Sequence, residues 1–164
     1  SMISARQYII IHHSLTEDSK TVSWQAIRRH HKDPNGRYKM RDIGYHFGIE
    51  MVNDEPEILV GRSLMWVHAA HCVEMGMNQR GIGICVVGNY DLVEPSPLLW
   101  IKLKELIHPL MDIFNIPTKN ILGHREVGMM AGFDFRKGQY KTCPGRMFDM
   151  DRLRVEIDAE RTVK

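Results

Sequence analysis

No stretch of this sequence is apolar for long enough to cross a membrane. A spanning helix needs about 20 consecutive apolar residues, and every apolar run here is shorter than that. The first residues, SMISARQ, lack the apolar segment of a secretory signal, and Ser1 before Met2 is typical of a tag remnant. We therefore expect no membrane insertion, and cytoplasmic synthesis unless a signal has been removed.

Charge of one sign is not in excess either. Lysine and arginine number 22, and aspartate and glutamate number 20. The composition therefore lacks the large excess of basic residues that is typical of nucleic-acid-binding proteins. The basic run RRHHK, at residues 28–32, falls on a predicted amphipathic helix, where such residues usually form the solvent-facing side. We expect no nucleic-acid partner.

Cysteine is scarce, and its number is odd. The chain has Cys72, Cys85 and Cys143, which cannot all pair, so the protein is not a disulfide scaffold. Cys85 lies inside GIGICVVG, where a small buried strand residue is the simple interpretation. Cys143 lies in KTCPG, outside any regular apolar pattern, which favours a chemical role.

The apolar segments predict a single α/β domain over residues 1–164, with a monomer as the working expectation. The chain has 164 residues and is 43% hydrophobic, enough for one sizeable core. Short β-branched runs predict strands at residues 7–13, 44–52, 57–62 and 81–90, with turn residues 53–56 making the middle pair a hairpin. Residues 120–127 predict a short strand running into a loop. Helices are predicted at 21–33, 97–114 and 148–158, and the second begins with Ser96 and Pro97 as its start signal.

Strands that alternate with helices indicate a mixed sheet of about five strands flanked by helices. Functional sites in such sheets lie beyond the strand ends. Two histidines, His12 and His13 in IIIHHS, end the first strand, and neighbours on a strand point to opposite faces, so only one of them can face a given site. His124 ends another apolar strand, in ILGHREV, and Cys143 follows it. Two imidazoles and a thiolate suit Zn²⁺, and three protein ligands leave a fourth position open for catalysis.

Six motifs carry a resemblance to a known family. In order, they are IIIHHS, DIGYHFGIE, GRSLMWVHAAH, RGIGICVVGNY, ILGHREV and KTCPG. Together they resemble the type-2 N-acetylmuramoyl-L-alanine amidases, a zinc family that includes phage endolysins and peptidoglycan recognition proteins. The resemblance implies a mixed sheet with a zinc groove at the strand ends and His12, His124 and Cys143 as metal ligands. His13 is then expected to point away from the zinc.

The resemblance also implies roles for five further residues. Tyr45 and Lys141 match positions that phage members use in catalysis, although a strand tyrosine and an ordinary loop lysine are the alternatives. His71 is expected on the groove wall in contact with substrate, and Asn78 and Arg62 are weaker candidates for glycan or peptide contact. The implied reaction is zinc-assisted hydrolysis of the amide between the lactyl group of muramic acid and L-alanine, in peptidoglycan or in soluble muropeptides.

A second class of function remains open, because family members that lack the metal set bind muropeptides without cleaving them. The presence of Cys143 favours the enzyme, and an endolysin-like enzyme acts at the cell wall. Two segments depart from the compact phage pattern: GFDFRKGQY, at residues 132–140, lengthens the loop before Cys143, and the segment after His71 is extended. Both are expected to flank the groove and to affect substrate preference.

Overall fold

A five-stranded mixed sheet forms the centre of the molecule. The computed structural model describes residues 6–16 and 24–163. The strands are β1 (Tyr8–His13), β2 (Phe47–Val52), β3 (Glu55–Val60), β4 (Gly81–Val86) and β5 (Ile121–Gly123). They lie side by side in the order β3-β2-β4-β1-β5. β1 is parallel to β4 and β5, and β2 is parallel to β4, whereas β3 is antiparallel to β2, which confirms the predicted mixed sheet.

β1 is buried on both faces, as its unbroken apolar sequence predicts. Ile9, Ile10 and Ile11 have no exposed surface. Ile9 and Ile11 belong to the larger core cluster, together with Leu103, while Ile10 belongs to a separate cluster with Met77. Packing on both faces holds the carboxyl end of β1 in place.

In the described part of the chain, five α-helices flank the sheet: α1 (Trp24–Lys32), α2 (Met77–Arg80), α3 (Pro97–Phe114), α4 (His124–Met130) and α5 (Met150–Thr162). α3 begins and ends as predicted, because the Ser96 side chain accepts a hydrogen bond from the Leu99 backbone N–H and Asn115 ends the helix with φ 55°. Residues 1–5 and the predicted helix start at 21–23 lie outside the described part of the chain. Within the described residues, no helix is long and apolar enough to cross a bilayer.

The segment after His124 is a helix, and the prediction of a loop is wrong. Glu126 reaches back so that its Oε1 accepts a hydrogen bond from the Gly123 backbone N–H at 2.9 Å. Because this bond satisfies a donor at the helix start, it helps α4 to begin directly at His124.

The hairpin between β2 and β3 is confirmed, but its bounds differ from those predicted. β2 begins at Phe47 rather than at residue 44. Asn53 and Asp54 form the turn with φ values of 51° and 65°, the left-handed conformation that two-residue hairpin turns require. Glu55 and Pro56, predicted in the turn, already belong to β3, an edge strand on which proline is tolerated.

The carboxyl ends of three parallel strands, β1, β4 and β5, meet at one edge of the sheet. His12 and His13 end β1, and His124 follows β5 directly. Polar side chains from segments that are far apart in the sequence therefore lie together at this edge of the sheet.

Candidate metal centre

The structure brings the three predicted ligands together. One ligand atom from each of His12, His124 and Cys143 lies within 4.8 Å of the other two, and all three residues are buried. The Cys143 Sγ lies 3.8 Å from the His12 Nδ1, and the rings of His12 and His124 are 4.7 Å apart between centroids. These spacings suit atoms that share one small cation.

His71 and the Gly81 carbonyl set the orientation of His12. The His71 Nε2 lies 3.2 Å from the Gly81 carbonyl oxygen, which can only accept, so this nitrogen carries the proton. The His71 Nδ1 is then an acceptor, and the His12 Nε2–H donates to it at 2.9 Å. This leaves the Nδ1 lone pair of His12 on the side of Cys143, the arrangement expected of a metal-binding imidazole.

His13 points away from this cluster, as the alternation along a strand predicts. Its Nδ1 accepts a hydrogen bond from the Tyr90 backbone N–H at 3.2 Å. Only its backbone N–H faces the cluster, and it donates to the Cys143 Sγ at 3.4 Å.

Arg125 fixes the loop that carries Cys143. Its backbone N–H donates to the Cys143 carbonyl oxygen at 2.7 Å, and its guanidinium donates to the carbonyl oxygens of Gly145 and Phe148. Arg125 directly follows His124, so one dipeptide places the second histidine and anchors the loop of the cysteine.

The electrostatics of the cluster suit a divalent cation. Burial, followed by repulsion from His124, holds the pKa of His12 well below its ordinary value. Burial and the nearby charge of Lys141 lower the pKa of His124 to about 4, so both imidazoles are neutral at pH 7. Burial also raises the pKa of the Cys143 thiol to about 12. Neutral imidazoles beside a thiol form a borderline-soft donor set of the kind that zinc prefers, and a dication favours the thiolate.

Tyr45 and Lys141, the predicted catalytic residues, both lie at the cluster. The Tyr45 ring is 5.1 Å from the His12 ring between centroids. Burial, and then the electrostatic effect of the nearby Cys85 thiol, raise the pKa of Tyr45 well above its ordinary value. Lys141 is exposed, and its positive charge lowers the pKa values of His12, His124 and Cys143.

Comparison with known proteins places the chain in a family. A sequence profile of the N-acetylmuramoyl-L-alanine amidase family matches residues 4–146. The chain belongs to the type-2 N-acetylmuramoyl-L-alanine amidases. It is 34% identical over 83 residues to the endolysin of Escherichia phage T7, covering 51% of this chain and 48% of that protein. The matched segments span at most 48% of the length of the curated relatives.

Solved structures show the same fold. The endolysin amidase LysCS of Clostridium intestinale superposes with a TM-score of 0.74 at 25% identity, covering 96% of this chain and 87% of that chain. A variant of Drosophila PGRP-LB, solved in complex with tracheal cytotoxin, superposes with a TM-score of 0.64 at 25% identity, covering 87% and 77% of the two chains. These matches confirm the resemblance inferred from the six motifs.

The three predicted substrate-binding residues of this type-2 amidase are engaged inside the protein. Arg62 is buried, and its guanidinium donates to the carbonyl oxygens of Asp42, Ile43 and His68. The Asn78 Oδ1 accepts hydrogen bonds from the backbone N–H groups of His71 and Cys72, both at 2.8 Å. His71 supports His12. The described contacts therefore give these residues structural partners, and their contact with substrate stays a prediction.

Sequence reasoning missed several residues beside the ligands. Tyr140 and Glu74 contact His124; they come from the two extended segments, which was the only signal that pointed to them. Cys85, interpreted as a plain core residue, touches the Tyr45 hydroxyl, and its pairing opposite His12 on β4 could be foreseen only from the strand register. Gly83 leaves room for the His71 ring, because a Cβ there would lie 2.6 Å from the His71 Cγ.

Proposed function

We propose that this protein is a zinc-dependent N-acetylmuramoyl-L-alanine amidase. It hydrolyses the amide bond between the lactyl group of muramic acid and L-alanine in peptidoglycan. The observation that carries the proposal is the convergence of His12, His124 and Cys143, buried at the strand ends of an amidase fold.

His12, His124 and Cys143 would hold the zinc ion. When bound at three protein ligands, zinc supplies Lewis acidity and activates water near neutral pH. The chain's own contribution is to keep both imidazoles neutral by burial and to fix the Nδ1 of His12 toward the ion through His71. A neutral, oriented imidazole binds metal without first losing a proton.

Lys141 supplies the charge that the reaction needs at the substrate carbonyl. Negative charge builds on that oxygen as the amide is attacked, and a well-placed donor is generally worth about 3–4 kcal/mol at this stage. Lys141 is exposed and its charge is felt at all three ligands, so a substrate bound over the cluster would meet it.

Tyr45 acts as a neutral hydrogen-bond donor. Because its pKa lies well above the ordinary value, the phenol keeps its proton at neutral pH and is not a general base there. Its position beside His12 suits it to orient the attacking water or the substrate carbonyl.

The substrate class follows from family membership and from similar proteins. The relatives include endolysins and a recognition protein that was solved with tracheal cytotoxin, so we propose peptidoglycan or its muropeptide fragments, with action at the cell wall. A muropeptide-binding module is the second candidate, because the PGRP-LB variant was solved with tracheal cytotoxin bound. The complete ligand set, Cys143 included, favours the hydrolase.

Digestion of purified peptidoglycan tests the proposal. The protein is incubated with sacculi alone, with a chelator, and with the chelator followed by excess zinc, and the products are identified by mass spectrometry. We expect stem peptides that begin with L-alanine, lost with the chelator and restored by zinc. Intact stems on cut glycan chains contradict the assignment, and binding to sacculi without any release supports the recognition module instead.

A further inference from the structure

His124 has a second set of partners, Tyr140 and Glu74. The Tyr140 hydroxyl oxygen lies 2.9 Å from the His124 Nε2, and the Glu74 carboxylate is near enough to contribute, after burial, to the raised pKa of Tyr140. The Glu74 Oε2 is itself 3.8 Å from the His124 Nε2. The three side chains therefore form a chain of contacts that ends at a partly exposed carboxylate.

The donors and acceptors of His124, Tyr140 and Glu74 can be ordered in one direction, from the histidine to the carboxylate. An ionised carboxylate only accepts, so Glu74 offers an acceptor for the single hydroxyl hydrogen of Tyr140. The oxygen of Tyr140 is then free to accept from the His124 Nε2–H. With its proton on Nε2, His124 presents the Nδ1 lone pair to another partner, as a metal-binding histidine does.

We propose that Tyr140 and Glu74 are positioning residues for His124: together they select its tautomer and fix its ring for zinc binding. The proposal rests on the proposed zinc site. It assigns a task to the two extended segments, because Tyr140 ends GFDFRKGQY and Glu74 lies in the segment after His71. The extensions meet each other behind a ligand, whereas the sequence suggested that they shape the substrate groove.

The surroundings of Tyr140 hold it in place for this task. Its ring packs over the backbone of α4 at Gly128, where a Cβ would lie 2.4 Å from the Tyr140 Cδ2. The Phe133 ring also stacks on the Tyr140 ring, with centroids 6.1 Å apart and planes inclined by 15°. Removing only the hydroxyl therefore leaves the packing of the ring intact.

The same carboxylate also belongs to a possible second metal set. Cys72, Glu74 and His124 each offer one ligand atom, and these atoms lie within 4.8 Å of one another; the Cys72 Sγ is 3.7 Å from the Glu74 Oε2. The nitrogen of His124 nearest to Glu74 is Nε2, which Tyr140 already occupies. The contacts therefore favour a hydrogen-bonded relay over a second ion.

The test compares Tyr140→Phe with the wild-type protein. Zinc affinity is measured by competition with a chromophoric chelator, and the ligand field is followed in the visible spectrum of the cobalt-substituted protein. We expect zinc affinity to fall about 10–100-fold with a changed cobalt spectrum, while the melting temperature of the metal-free protein stays the same. The matched control is Tyr38→Phe, which removes the hydroxyl of an exposed tyrosine and should change none of these.

A double variant tests whether the two residues act as one relay. Glu74→Gln alone should weaken zinc binding, and Tyr140→Phe combined with Glu74→Gln should bind zinc no more weakly than Tyr140→Phe, because the relay is already broken. Additive losses overturn the relay. Wild-type zinc affinity in Tyr140→Phe overturns it too, as does binding of two zinc ions by the wild-type protein with one of them lost in Cys72→Ser.

These outcomes separate the inference from the proposed function. If the wild-type protein binds zinc but releases no stem peptides, the amidase proposal fails and the relay still stands on the affinity measurements. If Tyr140→Phe cleaves peptidoglycan and binds zinc like the wild-type protein, the relay fails and the amidase proposal stands.

Discussion

The two histidines proposed as zinc ligands are supported in different ways. His12 ends a core strand, and its partner His71 is backed by the Gly81 carbonyl, which also accepts a hydrogen bond from the guanidinium of Arg6 at 3.0 Å. Arg6 is only 1% exposed. His124 is backed by side chains from two extended segments, and the Glu74 carboxylate at the end of that relay is 27% exposed.

This difference separates what the sheet fixes from what the loops add. The sheet-borne half of the site, His12 with His71, forms when the core packs, so a change there should cost both folding stability and metal binding. The loop-borne half, His124 with Tyr140 and Glu74, ends at a partly exposed carboxylate, and local openings near the surface cost less free energy. A change in the loops should therefore alter metal binding with little effect on stability.

The largest effect is expected from Cys143→Ser, which removes the ligand shared by both halves. Zinc affinity should fall by more than the roughly 10–100-fold that supporting residues cost, and amidase activity should be lost, because a serine hydroxyl is a poor zinc ligand. The metal-free protein should melt at nearly the wild-type temperature, since the two side chains are similar in size. Cys72→Ser is the control and should keep zinc and activity. Undiminished activity in Cys143→Ser means that the ligand is wrongly assigned.

Lys141→Met leaves both halves of the metal site in place, so it separates catalysis from metal binding. We expect kcat to fall about 100–1,000-fold, the cost of one lost donor to a developing oxyanion, because methionine keeps the length of the side chain and removes its charge. Zinc affinity should change little by comparison. Steady-state kinetics on soluble muropeptides and zinc competition measure the two quantities, and an unchanged kcat shows that Lys141 is an ordinary loop residue.

His71→Ala probes the sheet-borne half in the way that Tyr140→Phe probes the loops. Zinc affinity should drop about 10–100-fold. The stability of the metal-free protein should also fall, by about 1–3 kcal/mol, because the buried Nε2–H of His12 loses its acceptor. Urea unfolding measures this loss. The control His68→Ala removes an exposed imidazole that is hydrogen-bonded to Gln79. It should lower neither zinc affinity nor the stability of the metal-free protein. Equal stability in His71→Ala and Tyr140→Phe contradicts the proposed difference between the halves.

A pH dependence of stability is expected from the sheet-borne half, where His46 lies against His71 with ring centroids 5.6 Å apart. Burial, followed by the charges of His71, Arg6 and Arg62, lowers the pKa of His46 to about 2. Below the unfolded-state pKa of about 6.5, the unfolded chain therefore binds a proton that the native state excludes. Stability must fall as the pH is lowered from 6.5, by about 1.4 kcal/mol per unit for this one group.

The variant His46→Gln isolates that contribution. Glutamine retains an acceptor for the Gly83 N–H, which donates to the His46 Nδ1 at 2.9 Å, but it does not titrate. Urea unfolding of chelated protein at pH 7.0 and 5.0 should show that His46→Gln loses about 2 kcal/mol less than the wild type on acidification. Identical losses in the two proteins mean that His46 is not excluded from protonation in the native state.

The sheet and the clustering of His12, His124 and Cys143 were predictable because they leave local or ordered signals in the sequence. β1, β4 and α3 follow from apolar runs and spacing, and the three ligands follow from motifs that recur in family order. Their supporting partners leave no such signal. His71, Glu74 and Tyr140 lie in irregular or short segments without a periodic pattern, and only the folded chain brings them to the histidines that they support.

The same reasoning explains what the sequence did not show. Arg62 lies in a motif that suggested substrate contact, which stays a prediction, and its planar fork of donors satisfies three backbone carbonyls inside the fold. The helix α4 escaped prediction because its start depends on Glu126 capping Gly123 within a Gly- and Met-rich segment. In both cases the local structure depends on side-chain hydrogen bonds to the backbone, which the hydrophobic periodicity of the sequence does not predict.

The smallest effect is expected from Ser96→Ala, which tests whether stability by itself governs metal binding. Ser96 caps α3, a helix that carries none of the proposed site residues, and its hydroxyl accepts a hydrogen bond from the Leu99 backbone N–H at 3.3 Å. Loss of this cap should lower the free energy of unfolding, measured with urea, by about 1 kcal/mol and leave zinc affinity unchanged. If Ser96→Ala also weakened zinc binding, the loss in His71→Ala would reflect general destabilisation, and the sheet-borne support of His12 would need no special role for His71.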